Sequence, residues 1–122
     1  QDIAAHGKLP QAVTLSTLSE KISRTLLRKP MLVGDPDKSI QKIAWCTGAA
    51  QSYFEAAIQQ GIDAFITGEI SEQTVHIARE SGVAFIAAGH HATERYGVQA
   101  LGDHIAQQFN IQHQFIDIEN PV

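Results

Sequence analysis

The chain has 122 residues, of which 43% are hydrophobic and 18% are charged, and its formal net charge is −4. This composition is typical of a single folded domain with its own core, and it excludes a disordered tail or a fibrous repeat. An acidic balance without a basic cluster argues against a nucleic-acid groove and a DNA-binding regulator. The longest apolar run, residues 83–88, is far shorter than the roughly 20 residues of a membrane span. We therefore expect no nucleic-acid and no membrane partner.

Cysteine usage and the first residues bear on the compartment. The single Cys46 excludes an internal disulfide and fits a reducing environment. Residues 1–10 lack the apolar core of a signal peptide, so we expect a cytoplasmic protein. Residues 1–11 carry no hydrophobic period and are predicted to be a connecting segment ahead of one compact unit, residues 12–122.

Short apolar runs alternate with helical patterns along the chain. This order predicts a layered α/β domain with a mixed, largely parallel sheet flanked by helices. The predicted strands are residues 13–15, 31–33, 40–46, 64–67, 83–88 and 111–118. The first predicted helix is capped by Ser16 or Thr17 and ends before Pro30. The other predicted helices cover residues 49–60, 71–80 and 92–109.

The last helix and the residues after it complete the predicted domain. Val98, Leu101, Ile105 and Phe109 recur at spacings of three and four, which predicts an apolar helix face. The tail, residues 119–122, is predicted to be loose.

Glycines follow three of the predicted strands, in Cys46-Thr47-Gly48, Thr67-Gly68-Glu69 and Gly89-His90-His91. If these strands are parallel neighbours, their exits lie at the same sheet edge, where α/β proteins bind ligands. Glycine also lets the backbone come close to a ligand. We therefore searched for functional residues at this edge.

The densest candidate is the segment Gly89-His90-His91-Ala92-Thr93-Glu94. His90 and Glu94 are four residues apart, so on a helix their β-carbons are about 6 Å apart on one face. An imidazole and a carboxylate at this spacing can bind one metal ion, with Thr93 as a hydrogen-bonding support and His91 directed elsewhere. The alternative is that both residues only cap the helix, since Glu favours the positive end of the helix dipole.

Other residues carry weaker signals. Glu69 is a candidate acid, base or substrate contact, or merely a helix-start carboxylate, and Gly48 offers free amides at a helix start. Glu72 and His76 repeat the spacing of four, although a solvated pair on a helix face is the favoured explanation for them. Cys46 is either a thiol activated by a helix N-terminus or the end of a buried strand. We assign no catalytic residue and no residue that binds an organic cofactor.

Four segments together resemble the YbgI-like family, also called Nif-three-like or GTP cyclohydrolase type two-like. They are Ile43-Ala44-Trp45-Cys46-Thr47-Gly48, residues 63–74 around Thr67-Gly68-Glu69, Ala88-Gly89-His90-His91-Ala92-Thr93-Glu94-Arg95, and Phe115-Ile116-Asp117-Ile118-Glu119-Asn120-Pro121. The resemblance covers residues 13–122. The Gly-His-x-x-Thr-Glu pattern within three correctly ordered motifs makes the resemblance specific.

The resemblance implies a metal-dependent hydrolase. Family members have two similar α/β subdomains with a dinuclear metal centre between them and assemble as ring-shaped homohexamers. It implies that His90 and Glu94 are metal ligands and that the intact protomer holds two divalent ions. Zinc, iron, manganese and nickel all suit this donor set. It also implies a small-molecule substrate, named in the family as GTP, which is attacked by metal-activated water.

The resemblance also defines what this chain lacks. The remaining family ligands, a His-His pair and an Asp, belong to an N-terminal subdomain that has no counterpart in the sequence. We therefore expect the chain to be the C-terminal half of a two-subdomain protein and to be inactive alone. The alternative function is a non-enzymatic metal-binding scaffold module of a ring-shaped oligomer. Measurable turnover that depends on His90 and Glu94 in an intact relative would separate the two.

Overall fold

A computed structural model describes residues 3–122 of the chain. The strands form a single five-stranded sheet in the order β1-β3-β4-β5-β2. The central strands β3, β4 and β5 are parallel, and the edge strands β1 and β2 are antiparallel to their neighbours. The strands are β1 (Ala5–Thr14), β2 (Met31–Val33), β3 (Ser39–Trp45), β4 (Ala64–Thr67) and β5 (Ala84–Ala87). The predicted fold class is confirmed.

Four α-helices connect or follow these strands. They are α1 (Leu15–Leu26), α2 (Phe54–Gln59), α3 (Glu72–Ser81) and α4 (His90–Phe109), and a 3-10 turn (Gln51–Tyr53) precedes α2. Thr14 caps α1 through its side chain, two or three positions before the predicted caps, and Ser71 caps α3 as predicted. The described part of the chain has no helix both long and apolar enough to cross a membrane.

The alternation of side chains along the central strands divides the core between the two faces of the sheet. Phe65 and Phe85 face α2 and α3, where they pack with Phe54. The Phe54 and Phe85 rings meet edge to face, with centroids 4.9 Å apart. Ala64 and Ile86 face the opposite side with α1. Both faces of β4 and β5 are therefore buried, which explains why these strands read as continuous apolar runs.

The first strand is longer than predicted. The sequence predicts residues 5–11 as part of a connecting segment, but these residues belong to β1. Residues 1 and 2 of the predicted segment lie outside the described residues. β1 is an edge strand and mostly exposed, so its side chains need not alternate between apolar and polar. Its sequence therefore has no hydrophobic period that predicts a strand. The register with β3 shifts between Lys8 and Val13, and Pro10 lies within that irregular stretch. An edge strand tolerates proline because one side of its backbone is unpaired.

The predicted strand over residues 111–118 is wrong. This segment is irregular and lies along α4, where the His113 imidazole contacts Asp103 at 2.9 Å. The segment stays beside α4 and outside the sheet, whose order is β1-β3-β4-β5-β2, so its alternating pattern pairs with no strand. The tail is also not loose, because the Val122 carbonyl accepts a hydrogen bond from the His91 amide at 3.1 Å and the Pro121 carbonyl accepts one from Arg28 at 2.6 Å.

Helix α4 begins two residues before its predicted start and leaves its apolar residues exposed. Val98, Leu101 and Phe109 are 57%, 59% and 73% exposed. The first turns are held to the rest of the domain by Arg95 and Tyr96, which donate hydrogen bonds to the carbonyls of Leu26 and Thr25. The predicted apolar face is therefore present in the sequence but uncovered in this chain.

Candidate functional site

Three glycine-containing turns meet at one edge of the sheet. They follow the parallel strands β3, β4 and β5, and their backbones are hydrogen bonded to one another. The Gly68 amide donates to the Gly48 carbonyl at 2.9 Å, and the Gly89 amide donates to the Gly68 carbonyl at 3.0 Å. The shared edge expected from parallel neighbours is therefore present, and the turns form one connected surface.

Two threonines fix the geometry of this surface. The buried Thr67 hydroxyl donates to the Gly48 carbonyl at 3.0 Å and accepts from the Ala50 amide at 3.2 Å. The Thr93 hydroxyl accepts from the Gly48 amide at 3.1 Å and donates to the His90 carbonyl at 2.9 Å. Thr93 therefore hydrogen bonds to the backbone of two segments, the turn at Gly48 and the first turn of α4, and connects them. The sequence pattern suggested this supporting role for Thr93 but gave no partner for Thr67.

His90 lies between two carboxylates. Its Nδ1 atom is 2.6 Å from Glu69 Oε1, and its Nε2 atom is 3.0 Å from Glu94 Oε2. Glu94 comes from one turn further along α4, as the spacing of four requires, whereas Glu69 comes from the turn after β4. About a third of each of the His90 and Glu69 side chains is exposed, so both remain accessible to a ligand from solution.

The glycines at this edge are needed for close approach. A β-carbon on Gly48 would collide with the Glu94 carboxylate, and Gly48 also has a left-handed φ of +67°. A β-carbon on Gly68 would lie 2.6 Å from His90 Cα, which is closer than real β-carbons come to backbone. Gly48 thus makes room for the carboxylate, and Gly68 makes room for the start of α4.

The charges around His90 change its acid–base behaviour. The hydrogen bond that His90 donates to Glu69 raises the pKa of the imidazole, the charges of Glu94 and Glu69 raise it further, and burial opposes them. Burial raises the pKa of the Cys46 thiol, and the Glu94 charge adds to this effect. Cys46 is therefore held as the neutral thiol, which argues against its use as a nucleophile.

The other histidines are not part of this group. His91 points away from His90 and binds Asp117, which also pairs with Arg95 at 2.8 Å. Glu72 and His76 are exposed on α3, away from the three turns, and His6 and His104 are exposed as well. The sequence analysis missed the partnership of His91 and Arg95 with Asp117, because 22 or more residues separate Asp117 from both.

The residues that could hold a metal ion are His90 Nε2 and Glu94. Within residues 3–122 no group of three or more His, Cys, Asp or Glu side chains is arranged to hold an ion. Donor atoms bound to one ion at roughly 2.0–2.1 Å in tetrahedral geometry are about 3.3 Å apart. The His90 and Glu94 atoms, at 3.0 Å, nearly meet this separation. The pair can therefore supply two of the ligands of a metal ion, and the other ligands would have to come from outside these two residues.

A cavity of about 630 Å³ adjoins the pair. His90, Glu94 and Arg95 form its polar side. Its apolar side is formed by Val98 of α4 and by four residues of the segment after α4, which are Phe115, Ile116, Ile118 and Val122. A larger apolar groove of about 640 Å³ lies between α1 and β3 and touches the site only through residues such as Thr47 and Thr93. The first cavity is the one next to His90 and Glu94.

Comparison with known proteins places the chain in a family. The family model of Duf34/NIF3 (NGG1p interacting factor 3) matches residues 1–121. A "GTP cyclohydrolase 1 type 2 homolog" of Pseudomonas aeruginosa is 53% identical over 121 residues, which are 99% of this chain and 48% of that protein. The homolog of Allochromatium vinosum is 52% identical over 115 residues, which are 94% of this chain and 45% of that protein.

Solved structures agree with the sequence comparisons. The structure of protein ybgI, described as of unknown function, superposes with a TM-score of 0.94 at 46% identity and covers 100% of this chain and 50% of that one. HcgD of Methanocaldococcus jannaschii, at 18% identity and a TM-score of 0.73, shares the fold. The chain spans about half the length of the curated relatives it matches. On the match over residues 1–121 and the identities of about half, the chain belongs to the Duf34/NIF3 family.

Proposed function

We propose that this chain is the C-terminal half of a dinuclear-metal hydrolase and contributes His90 and Glu94 as ligands. The observation that carries the proposal is the 3.0 Å separation of His90 Nε2 and Glu94 Oε2 at a sheet edge where three turns meet. A pair of divalent ions at such a site lowers the pKa of a water molecule and polarises the bond to be hydrolysed. The remaining ligands come from a second subdomain.

The residues of this chain have three tasks in that proposal. His90 and Glu94 present a nitrogen and an oxygen on one face of α4. Gly48 leaves room for the Glu94 carboxylate, and Thr93 holds the Gly48 amide and the His90 carbonyl in place. The cavity beside the pair receives a small substrate, and the relatives' name points to a nucleotide such as GTP.

Metal content is the direct test. We expect an intact relative purified without chelator to carry about two ions per chain, and its double variant at the positions equivalent to His90 and Glu94 to lose them. In this chain the variant H90A/E94A should lower the affinity for added Zn²⁺. The matched control is H76A/E72A, which removes the same residue types at the same spacing from α3. Equal affinities of the two double variants would contradict the proposal.

A second function is favoured by one observation, the exposed apolar face of α4. A helix with this face uncovered is stabilised by burying it. In this alternative the chain is a metal-binding scaffold module, and α4 packs against a second copy in a homohexameric ring. We expect sedimentation of this chain to show concentration-dependent association that L101K abolishes and Q107K leaves intact. A monomer at every concentration would contradict this alternative.

A further inference from the structure

Glu69 contacts His90 through its carboxylate. Its Oε1 atom lies 2.6 Å from Nδ1 of His90, slightly closer than the roughly 2.7–2.9 Å that is typical of a charge-assisted N–H···O hydrogen bond. The two residues are 21 positions apart in sequence and come from different turns. Neither α3 nor α4 alone produces this contact, so it depends on the packing of the turns.

The backbone holds this contact in place. Gly68 precedes Glu69 and is hydrogen bonded to Gly48 on one side and to Gly89 on the other. Gly89 directly precedes His90. The carboxylate and the ring are therefore each one residue away from the same backbone hydrogen bond, and the distance between them is set by the sheet edge.

The two ring nitrogens of His90 consequently have different neighbours. A carboxylate only accepts hydrogen bonds, so the nitrogen that faces Glu69 carries a proton and offers no lone pair. The nitrogens lie on opposite sides of the ring, and Nε2 faces Glu94. By the same argument Nε2 carries a proton toward Glu94 in the metal-free chain, where the two atoms are 3.0 Å apart. A cation that binds between Nε2 and Glu94 replaces that proton, which is released to solvent, while Nδ1 keeps the proton that it donates to Glu69. Glu69 and Glu94 are on opposite sides of the ring, so Glu69 does not share an ion bound at Nε2.

We propose that Glu69 is a positioning residue that fixes the ring of His90 and selects Nε2 as the nitrogen that binds a divalent cation together with Glu94. The inference rests on the proposed function and deepens it, because it names the group that prepares the histidine. Carboxylates that accept a hydrogen bond from a metal-binding histidine fix its tautomer and orientation and raise its basicity.

The test uses three single variants of this chain and two readouts. E69A removes the hydrogen bond, E69Q keeps an acceptor oxygen without the charge, and E80A removes an exposed carboxylate of α3 as the matched control. In NMR spectra of the metal-free chain, we expect a protected Nδ1–H resonance of His90 that E69A loses, E69Q retains at a shifted position, and E80A leaves unchanged. Competition calorimetry with Zn²⁺ should show binding weakened about 10- to 100-fold by E69A, less by E69Q, and not by E80A.

The outcomes separate the two proposals. Wild-type Zn²⁺ binding that survives E69A, with the Nδ1–H resonance retained, overturns the role of Glu69 and leaves the metal half-site standing. A wild-type chain whose Zn²⁺ binding equals that of H90A/E94A overturns the proposed function and the role of Glu69 with it. Loss of the resonance and of affinity in E69A, with restoration toward wild type in E69Q, supports the positioning role.

Discussion

At the scale of single residues, the site depends on two glycines, which have no side chain, as much as on the residues whose side chains form it. Gly68 lies against the first residue of α4, and Gly48 lies against the Glu94 carboxylate. The two constraints differ in kind. A carboxylate at the end of a flexible side chain can move away from an added methyl group, whereas the backbone of His90 cannot move without shifting α4.

We expect Gly68→Ala to lower the free energy of unfolding by about 1–3 kcal/mol, as overpacking typically does. The added β-carbon would meet His90 Cα at 2.6 Å. The matched control is Gly97→Ala, which lies inside α4 with no atom within 4 Å of the added carbon. It should raise stability by about 0.5–1 kcal/mol because alanine favours helix. Urea unfolding measures both, and changes of the same sign would contradict the close-packing argument.

At the scale of elements, α2 is held by its first residue. The helix has six residues, too few to be stable alone, and Phe54 is fully buried between the rings of Phe65 and Phe85. The turn before α2 is also fixed, because the Ala50 amide donates a hydrogen bond to the Thr67 hydroxyl. Packing on one face of the sheet thereby supports the loop that carries Gly48.

We expect Phe54→Ala to cost about 3–5 kcal/mol of stability, since it removes a fully buried ring and leaves a cavity. Phe109→Ala is the matched control, because it makes the same chemical change at a position that is mostly exposed. It should change stability by less than about 0.5 kcal/mol at low protein concentration. Chemical denaturation compares them, and similar losses would show that the end of α4 is buried in solution.

The segment after α4 is a second element held by particular contacts, and besides those of Pro121 and Val122 it is held by Asp117, which pairs with His91 and Arg95. Its hydrogen bond with His91 lowers the pKa of the Asp117 carboxyl, and the nearby Arg95 lowers it further. A pKa lower in the folded than in the unfolded chain gives stability that is present above the unfolded value and lost as pH falls through the folded value. We therefore expect the segment after α4 to detach only when the pH falls below the usual range of aspartate pKa values.

A carboxyl ¹³C titration measures the Asp117 pKa directly, and the accessibility of the tail to carboxypeptidase at each pH measures its release. D117N removes the charge and should release the tail at neutral pH as well. An Asp117 midpoint at or above the ordinary aspartate value, or a tail equally protected in D117N, would contradict this account.

At the scale of the whole molecule, stability is unevenly distributed. The parallel strands are buried on both faces, whereas α4 beyond its first turns and the segment after it are mostly exposed. The candidate site lies where these regions meet, because His90 and Glu94 occupy the anchored first turn of α4. The pair of His90 and Glu94 is thus positioned by the stable region even though its helix extends away from that region.

We expect amide hydrogen exchange to be slowest in β4 and β5 and fast in α4 after Val98, since opening that half of the helix exposes little additional apolar surface. Exchange measured at two protein concentrations adds a control. Protection of α4 that increases with concentration would indicate self-association through its exposed face. Uniformly slow exchange across α4 at the lower concentration would contradict the uneven distribution.

Much of the fold could be predicted from local patterns. β2 and β4 were predicted within their observed bounds, β3 and β5 to within about one residue at each end, and α3 with its Ser71 cap. These elements are buried on at least one face, so their sequences carry the period of the structure. The site pair His90 and Glu94 also follows from spacing alone, because four residues along a helix always bring side chains together.

The sequence by itself determined the α/β class, the buried strands, the glycine exits and the spacing of His90 and Glu94, since each depends on residues close together in the chain. Only the tertiary structure decided that Glu69 binds His90, that Asp117 ties the tail to α4, that residues 111–118 form no strand and that the apolar face of α4 is exposed. These features depend on which distant segments meet in the folded chain, and a local period carries no information about that.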